Sequence, residues 1–121
     1  MPRLEVVFYE AADGTRPVYD FLDGLNAKMA AKVLRTISRL EEIGYELREP
    51  YSKPLGDGIF ELRTQLATDI SRVLYFFVIN GRAVLTHGFI KKTEKTPKSE
   101  IDRARRYRED YLRRYFNVDK V

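Results

Sequence analysis

The chain has 121 residues, 44% of them hydrophobic, which suits a single domain over 1–121 with one core. It holds no cysteine and one histidine, His87, which excludes disulfides, thiolate metal sites and cysteine nucleophiles and argues against a multi-histidine metal centre. Against 18 acidic residues stand 22 Lys and Arg, a net charge of +4, so a nucleic-acid or ribosomal partner is indicated only if the cations share one surface.

No run of carboxylates has calcium-loop spacing, so neither a structural metal nor a cofactor is expected. The N-terminus turns polar too early for a signal peptide. No apolar run approaches the roughly 20 residues of a membrane-spanning helix, and a cytoplasmic protein without a membrane partner is expected.

In chain order, Leu4 to Tyr9 is an apolar, β-branched run that reads as a strand, closed by Asp13-Gly14. A short helix is expected from Pro17 to Leu22, stopped at Asp23-Gly24. Leu25, Met29, Val33, Ile37 and Leu40 then recur at helical spacing, with Asn26 as N-cap and Gly44 as the stop. From Tyr45 to Asp57, Pro50, Pro54 and Gly56 predict a loop. Three strands follow, Ile59 to Leu66, Ile70 to Ile79 and Ala83 to Ile90. Asn80-Gly81, where both residues tolerate positive φ, predicts a two-residue hairpin between the last two. A second long helix is capped by Thr96 with Pro97 in its first turn, and its apolar stripe runs Ile101, Ala104, Tyr107, Tyr111, Leu112 and Tyr115. The fold expected is α+β: a small, mostly antiparallel four-stranded sheet with helices packed on one side.

Pairing outward from the Asn80-Gly81 turn sets Arg72 opposite Phe89 and Leu74 opposite His87. Directly paired residues share a face, and alternation brings Lys91 to the same side. A short turn near Thr68 sets Arg63 opposite Arg72 or Leu74, on that face in both cases. A lone arginine on a strand is usually solvated or paired with a surface carboxylate, as Glu61 could pair here. The weight rests on convergence: Arg63, Arg72 and Lys91 come from three adjacent strands, and Lys53 lies in the segment feeding the first. Like charges gathered together cost stability unless an anion lies between them, and phosphate is the natural candidate. Arg72 is expected near the open end of the patch, outside the core.

The runs Asp57 to Arg63, Ser71 to Tyr75, His87 to Lys92, Lys95-Thr96-Pro97, Glu100-Ile101 and Ala104, in this order, resemble the RelE/ParE toxin superfamily, and within it the phage-derived HigB-like branch. The resemblance implies the toxin of a type II toxin–antitoxin pair: a ribosome-dependent endoribonuclease that cuts messenger RNA without metal and is silenced by a helix-turn-helix, HigA-like antitoxin. In that chemistry the RNA's own 2′-hydroxyl attacks the adjacent phosphate, which needs a base, positive charge on the phosphorane and an acid. Arg63 and Arg72 suit the phosphorane, since a guanidinium forks onto phosphate oxygens and keeps its proton. Lys53 and Lys91 are candidate bases, which requires a lowered pKa. His87 is a further catalytic candidate by its ordinary pKa, against a packing role on its strand. Lys92 and Lys95 suit RNA backbone binding, and Tyr51 and Phe89 could stack on bases. Tyr107, Tyr111 and Tyr115 sit on a helix stripe and are expected in the core. The arginines Arg103, Arg106, Arg113 and Arg114 offer a partner a second charged surface. Two rival readings are a gyrase inhibitor of the same fold, which needs no phosphate-binding cluster, and an RNA- or ribosome-binding module without catalysis. A DNA-binding repressor is disfavoured because no helix-turn-helix arrangement is recognisable.

Overall fold

In a computed structural model of the chain, which describes residues 4–91 and 94–116, β1 (Glu5–Phe8) leads into α1 (Pro17–Asp23) and α2 (Ala27–Ile43). Then come β2 (Ser52–Gly56), β3 (Ile59–Leu66), β4 (Asp69–Val78) and β5 (Arg82–Lys91), and α3 (Lys98–Tyr115) completes the order. The expected α+β class holds. No helix among the described residues is long and apolar enough to cross a membrane.

The sheet has five strands, ordered β1-β5-β4-β3-β2, where four were expected. The fifth is β2, inside the segment read as a loop. Its Pro54 does not forbid a strand, because β2 is an edge, where a missing N–H need not break a ladder; the register does shift between Pro54 and Gly56. β1 pairs with β5 in parallel and the other neighbours are antiparallel.

Helix α2 forms as its sequence demands. The Asn26 side chain accepts the Met29 N–H at 2.8 Å, and Gly44, at φ +70°, ends the helix in a conformation that suits glycine. Its apolar face, Met29, Val33, Ile37 and Leu40, joins Leu62, Val73, Tyr75 and Leu85 in the main core. The opposite sheet face, Ile59, Leu74, Phe76 and Val84, packs against Ala104 and Tyr111 of α3. Helices therefore cover both sides, which corrects the one-sided packing expected. The signal lies in Val73-Leu74-Tyr75-Phe76-Phe77-Val78, an apolar run without alternation, as a strand buried on both faces requires.

The β4–β5 hairpin reaches its register by two departures that cancel. Its loop is Ile79, Asn80 and Gly81, with Gly81 at φ +75°, the three-residue form closed by a left-handed residue. Val78 thus pairs with Arg82 and Phe76 with Val84, one step away from what a two-residue Asn80-Gly81 turn gives. A bulge at Thr86 then adds one residue to β5, and beyond it Leu74 meets His87 and Arg72 meets Phe89. The buried Thr86 hydroxyl donates to the Leu74 carbonyl at 3.0 Å and holds the bulge.

Candidate functional site

The β3–β4 connection is the two-residue loop Ala67-Thr68, with Ala67 at φ +55°, and it sets Arg63 directly opposite Arg72. Across the sheet the same face carries Lys53 opposite Glu61, then Arg63, Arg72 and Phe89, with Lys91 opposite Ile70. The structure thus brings Lys53, Arg63, Arg72, Phe89 and Lys91 to one side.

Their depths differ sharply. Arg72 is fully buried at 0% exposure, which corrects its expected place near the open end. Pairing rules fix the face of a side chain and not what later chain folds over it; here residues before α3 do so. Arg72 Nη1 donates to the Thr96 hydroxyl at 3.1 Å, and that hydroxyl donates to the buried Glu61 carboxylate. Thr96 therefore bridges a buried charge pair instead of capping α3, whose N-cap is Pro97 without a side-chain cap bond. Burial pushes the Arg72 guanidinium below its ordinary pKa, and the Glu61 charge opposes that shift.

Arg63 is the arginine of this cluster that reaches the surface. Its side chain, 14% exposed, lies between Glu61 at 3.5 Å and Glu94 at 3.4 Å. Lys53 is half-buried, while Lys91 and Lys95 are exposed. Lys92 lies outside the described residues.

His87 is 1% exposed beneath α3. One ring nitrogen lies 3.0 Å from the Thr86 hydroxyl and the other 3.0 Å from Glu100. Burial and the nearby Arg103 guanidinium push its pKa down to about 4, against the opposing pull of Glu100. It is a neutral imidazole at neutral pH, with Phe89 stacked beside it at 5.9 Å between ring centroids. Phe89 packs with Leu74, Ala104 and Ile101, so both aromatic and imidazole serve the packing of α3. Tyr51 packs on the other core, that of α2, with the Arg39 guanidinium 4.3 Å above its ring. Of the three helix tyrosines, Tyr111 is core, Tyr107 is half-buried against Tyr9, and Tyr115 is 58% exposed.

A family model, Phage derived protein Gp49-like (DUF891), matches residues 20–109, a span that runs from α1 into α3 and encloses every site residue named above. The chain belongs to this family. No curated protein matches it. The Gp49-like family lies within the RelE/HigB-like toxin superfamily, which makes this a toxin of toxin–antitoxin type and implies a cognate antitoxin as partner. In this Gp49-like chain, sequence reasoning passed over Glu94, Thr96 and Glu100 as site neighbours and reached Glu61 only as a pairing residue. Glu94 and Thr96 meet the arginines and Glu61 across 24 to 35 residues of sequence, which no local pattern signals.

Proposed function

We propose that the chain is a metal-independent endoribonuclease that cuts messenger RNA on the ribosome and is kept inactive by its antitoxin. The observation that best supports this is Arg63, a surface-reaching guanidinium directly opposite Arg72, with Lys53 and Lys91 on the same sheet face. On this reading the 2′-oxygen attacks the adjacent phosphorus while its proton passes to a base, and the bond from phosphorus to the 5′-oxygen breaks as that oxygen takes a proton. The products are a 2′,3′-cyclic phosphate and a 5′-hydroxyl. Arg63 holds the phosphate oxygens in place of Glu94, and Lys53 and Lys91 supply the flanking charge and proton transfer. Arg72 acts from beneath, as fixed positive charge locked by Thr96 and Glu61. His87 takes no proton-transfer role; it packs α3.

The burial of Arg72 favours a second reading, a toxin that binds RNA or the ribosome without cutting. Inducing the chain in bacteria and mapping transcript 5′ ends separates the two. The nuclease reading expects cuts confined to translated regions, and growth arrest without any such cuts supports the binding module. Arg63→Ala is expected to lower cleavage on the order of 100- to 1,000-fold, the usual loss for one donor to a transition-state oxyanion.

A further inference from the structure

On the α2 side, Lys28, Lys32, Arg35 and Arg39 recur at spacings of four, three and four residues and so share one stripe of the helix. The stripe is about 16 Å long at the helical rise per residue. Its Lys32, Arg35 and Arg39 form one wall of a groove of about 440 Å³, whose other walls include Tyr51, Arg63 and Glu94. The floor is β3 past the reach of β2: the last β2 pair is Ser52 with Leu62, and the Arg63 N–H bonds the Tyr51 carbonyl at 2.8 Å. Beyond that point Lys32 Nζ donates to the Gln65 carbonyl at 2.6 Å. The groove therefore wraps the open edge of β3 and leads from α2 to the guanidinium at the centre of the sheet site.

Its charge is not neutralised. Arg105 and Arg108 of α3 share Asp57, and Arg113 and Arg114 share Asp110. Arg35 and Arg39, by contrast, pair with no carboxylate among the described residues. Glu94, the one acidic group of the groove wall, is engaged with Arg63. Like charges at positions 35 and 39 destabilise a helix turn, so the arrangement stores a repulsion that an anion relieves. Tyr51 fixes one of these cations: a guanidinium lying on an aromatic face keeps its N–H edge free, and its pre-set orientation reduces the entropy lost on binding.

We propose that this groove binds the phosphodiester backbone of RNA beyond the bond at Arg63, with Arg35 and Arg39 as its phosphate ligands and Tyr51 as the residue that orients Arg39. The inference rests on the RNA-directed reading above and gives it a second binding surface on the opposite face of the sheet. Tyr51 then acts through Arg39, and not as a stacking platform for a base.

The probe is a short single-stranded RNA methylated at every 2′-oxygen, which cannot be cut, with binding read by fluorescence anisotropy across a salt series. Arg35→Glu with Arg39→Glu is expected to weaken binding at least tenfold and to flatten the salt slope by about 0.7 for each phosphate that is no longer neutralised. Arg106→Glu on exposed α3 is the control for charge alone and should leave binding near wild type. Tyr51→Leu is expected to weaken binding through Arg39, and to have no added effect once Arg39 is replaced. Unchanged RNA binding in the double variant overturns the groove, as does loss of antitoxin binding alone. Cleavage of ordinary messenger RNA on ribosomes is measured separately. A wild type that binds through Arg35 and Arg39 yet cuts nothing keeps the groove and removes the nuclease reading; one that cuts while the double variant binds normally does the reverse.

Discussion

Arg72 shows how one residue's role changes with depth. Truncating a buried ion partner leaves its counterpart charged in a dry site, so Arg72→Ala should cost roughly 3–5 kcal/mol through Glu61 and confound any activity assay. Arg63→Ala is the informative variant because its side chain reaches solvent. Thr96→Val removes the hydroxyl that joins Arg72 to Glu61 and should cost on the order of 1–3 kcal/mol in chemical denaturation; a neutral result would mean water replaces the hydroxyl. His87 makes a pH prediction with a definite sign. Its folded pKa, about 4, lies below the ordinary 6.5, so the unfolded chain takes up the proton first as pH falls. The resulting loss of stability is absent above pH 6.5 and grows as pH falls from about 6.5 to about 4. From pH 6.5 to pH 5 this amounts to roughly 2 kcal/mol. His87→Gln should lose that increment, visible as a smaller shift of the urea midpoint between pH 7 and pH 5 than in wild type. Equal shifts in the two proteins would mean that other groups carry the acid sensitivity.

At the scale of elements, what the sequence made legible were features with local causes: the Asn26 cap and Gly44 stop of α2, the strands about Asn80-Gly81, and the face shared by Arg63, Arg72, Phe89 and Lys91. Hidden were features whose cause lies elsewhere in the chain. Pro54 hid β2, since whether a proline interrupts a sheet depends on its being at an edge. The Thr86 bulge left no trace because it restored the register that the three-residue loop had displaced. Gly88 tests the packing of α1 on β5. A Cβ there would stand 2.3 Å from the Phe21 ring, so Gly88→Ala forces that ring aside and should cost about 1–3 kcal/mol. The same change combined with Phe21→Leu should be milder than the sum of the two, and strict additivity in thermal melts would argue that the ring does not occupy that space.

For the molecule as a whole, the net charge of +4 says less than its placement. On α3 two aspartates tie down four arginines: Asp57 holds Arg105 and Arg108, and Asp110 holds Arg113, Arg114 and the Tyr9 hydroxyl. The Arg108 and Arg105 guanidinium groups keep the Asp57 carboxyl below the usual carboxylate range. Asp57→Asn tests this arrangement cleanly, since asparagine also tolerates the φ of +56° found there. It should raise RNA affinity measured at low salt without raising cleavage, because the freed charge lies before the start of β3, several residues along the strand from Arg63; a matching rise in cleavage would show that placement is immaterial. Wild type thus carries its charge unevenly: four of the six α3 arginines are tied to aspartates, whereas Arg35 and Arg39 on α2 pair with no carboxylate among the described residues. Within about 10 Å of a polyanion at ordinary salt, such a body feels a torque before it touches. It arrives already turned, and its capture rate should fall with ionic strength faster than that of a chain carrying the same charge spread evenly.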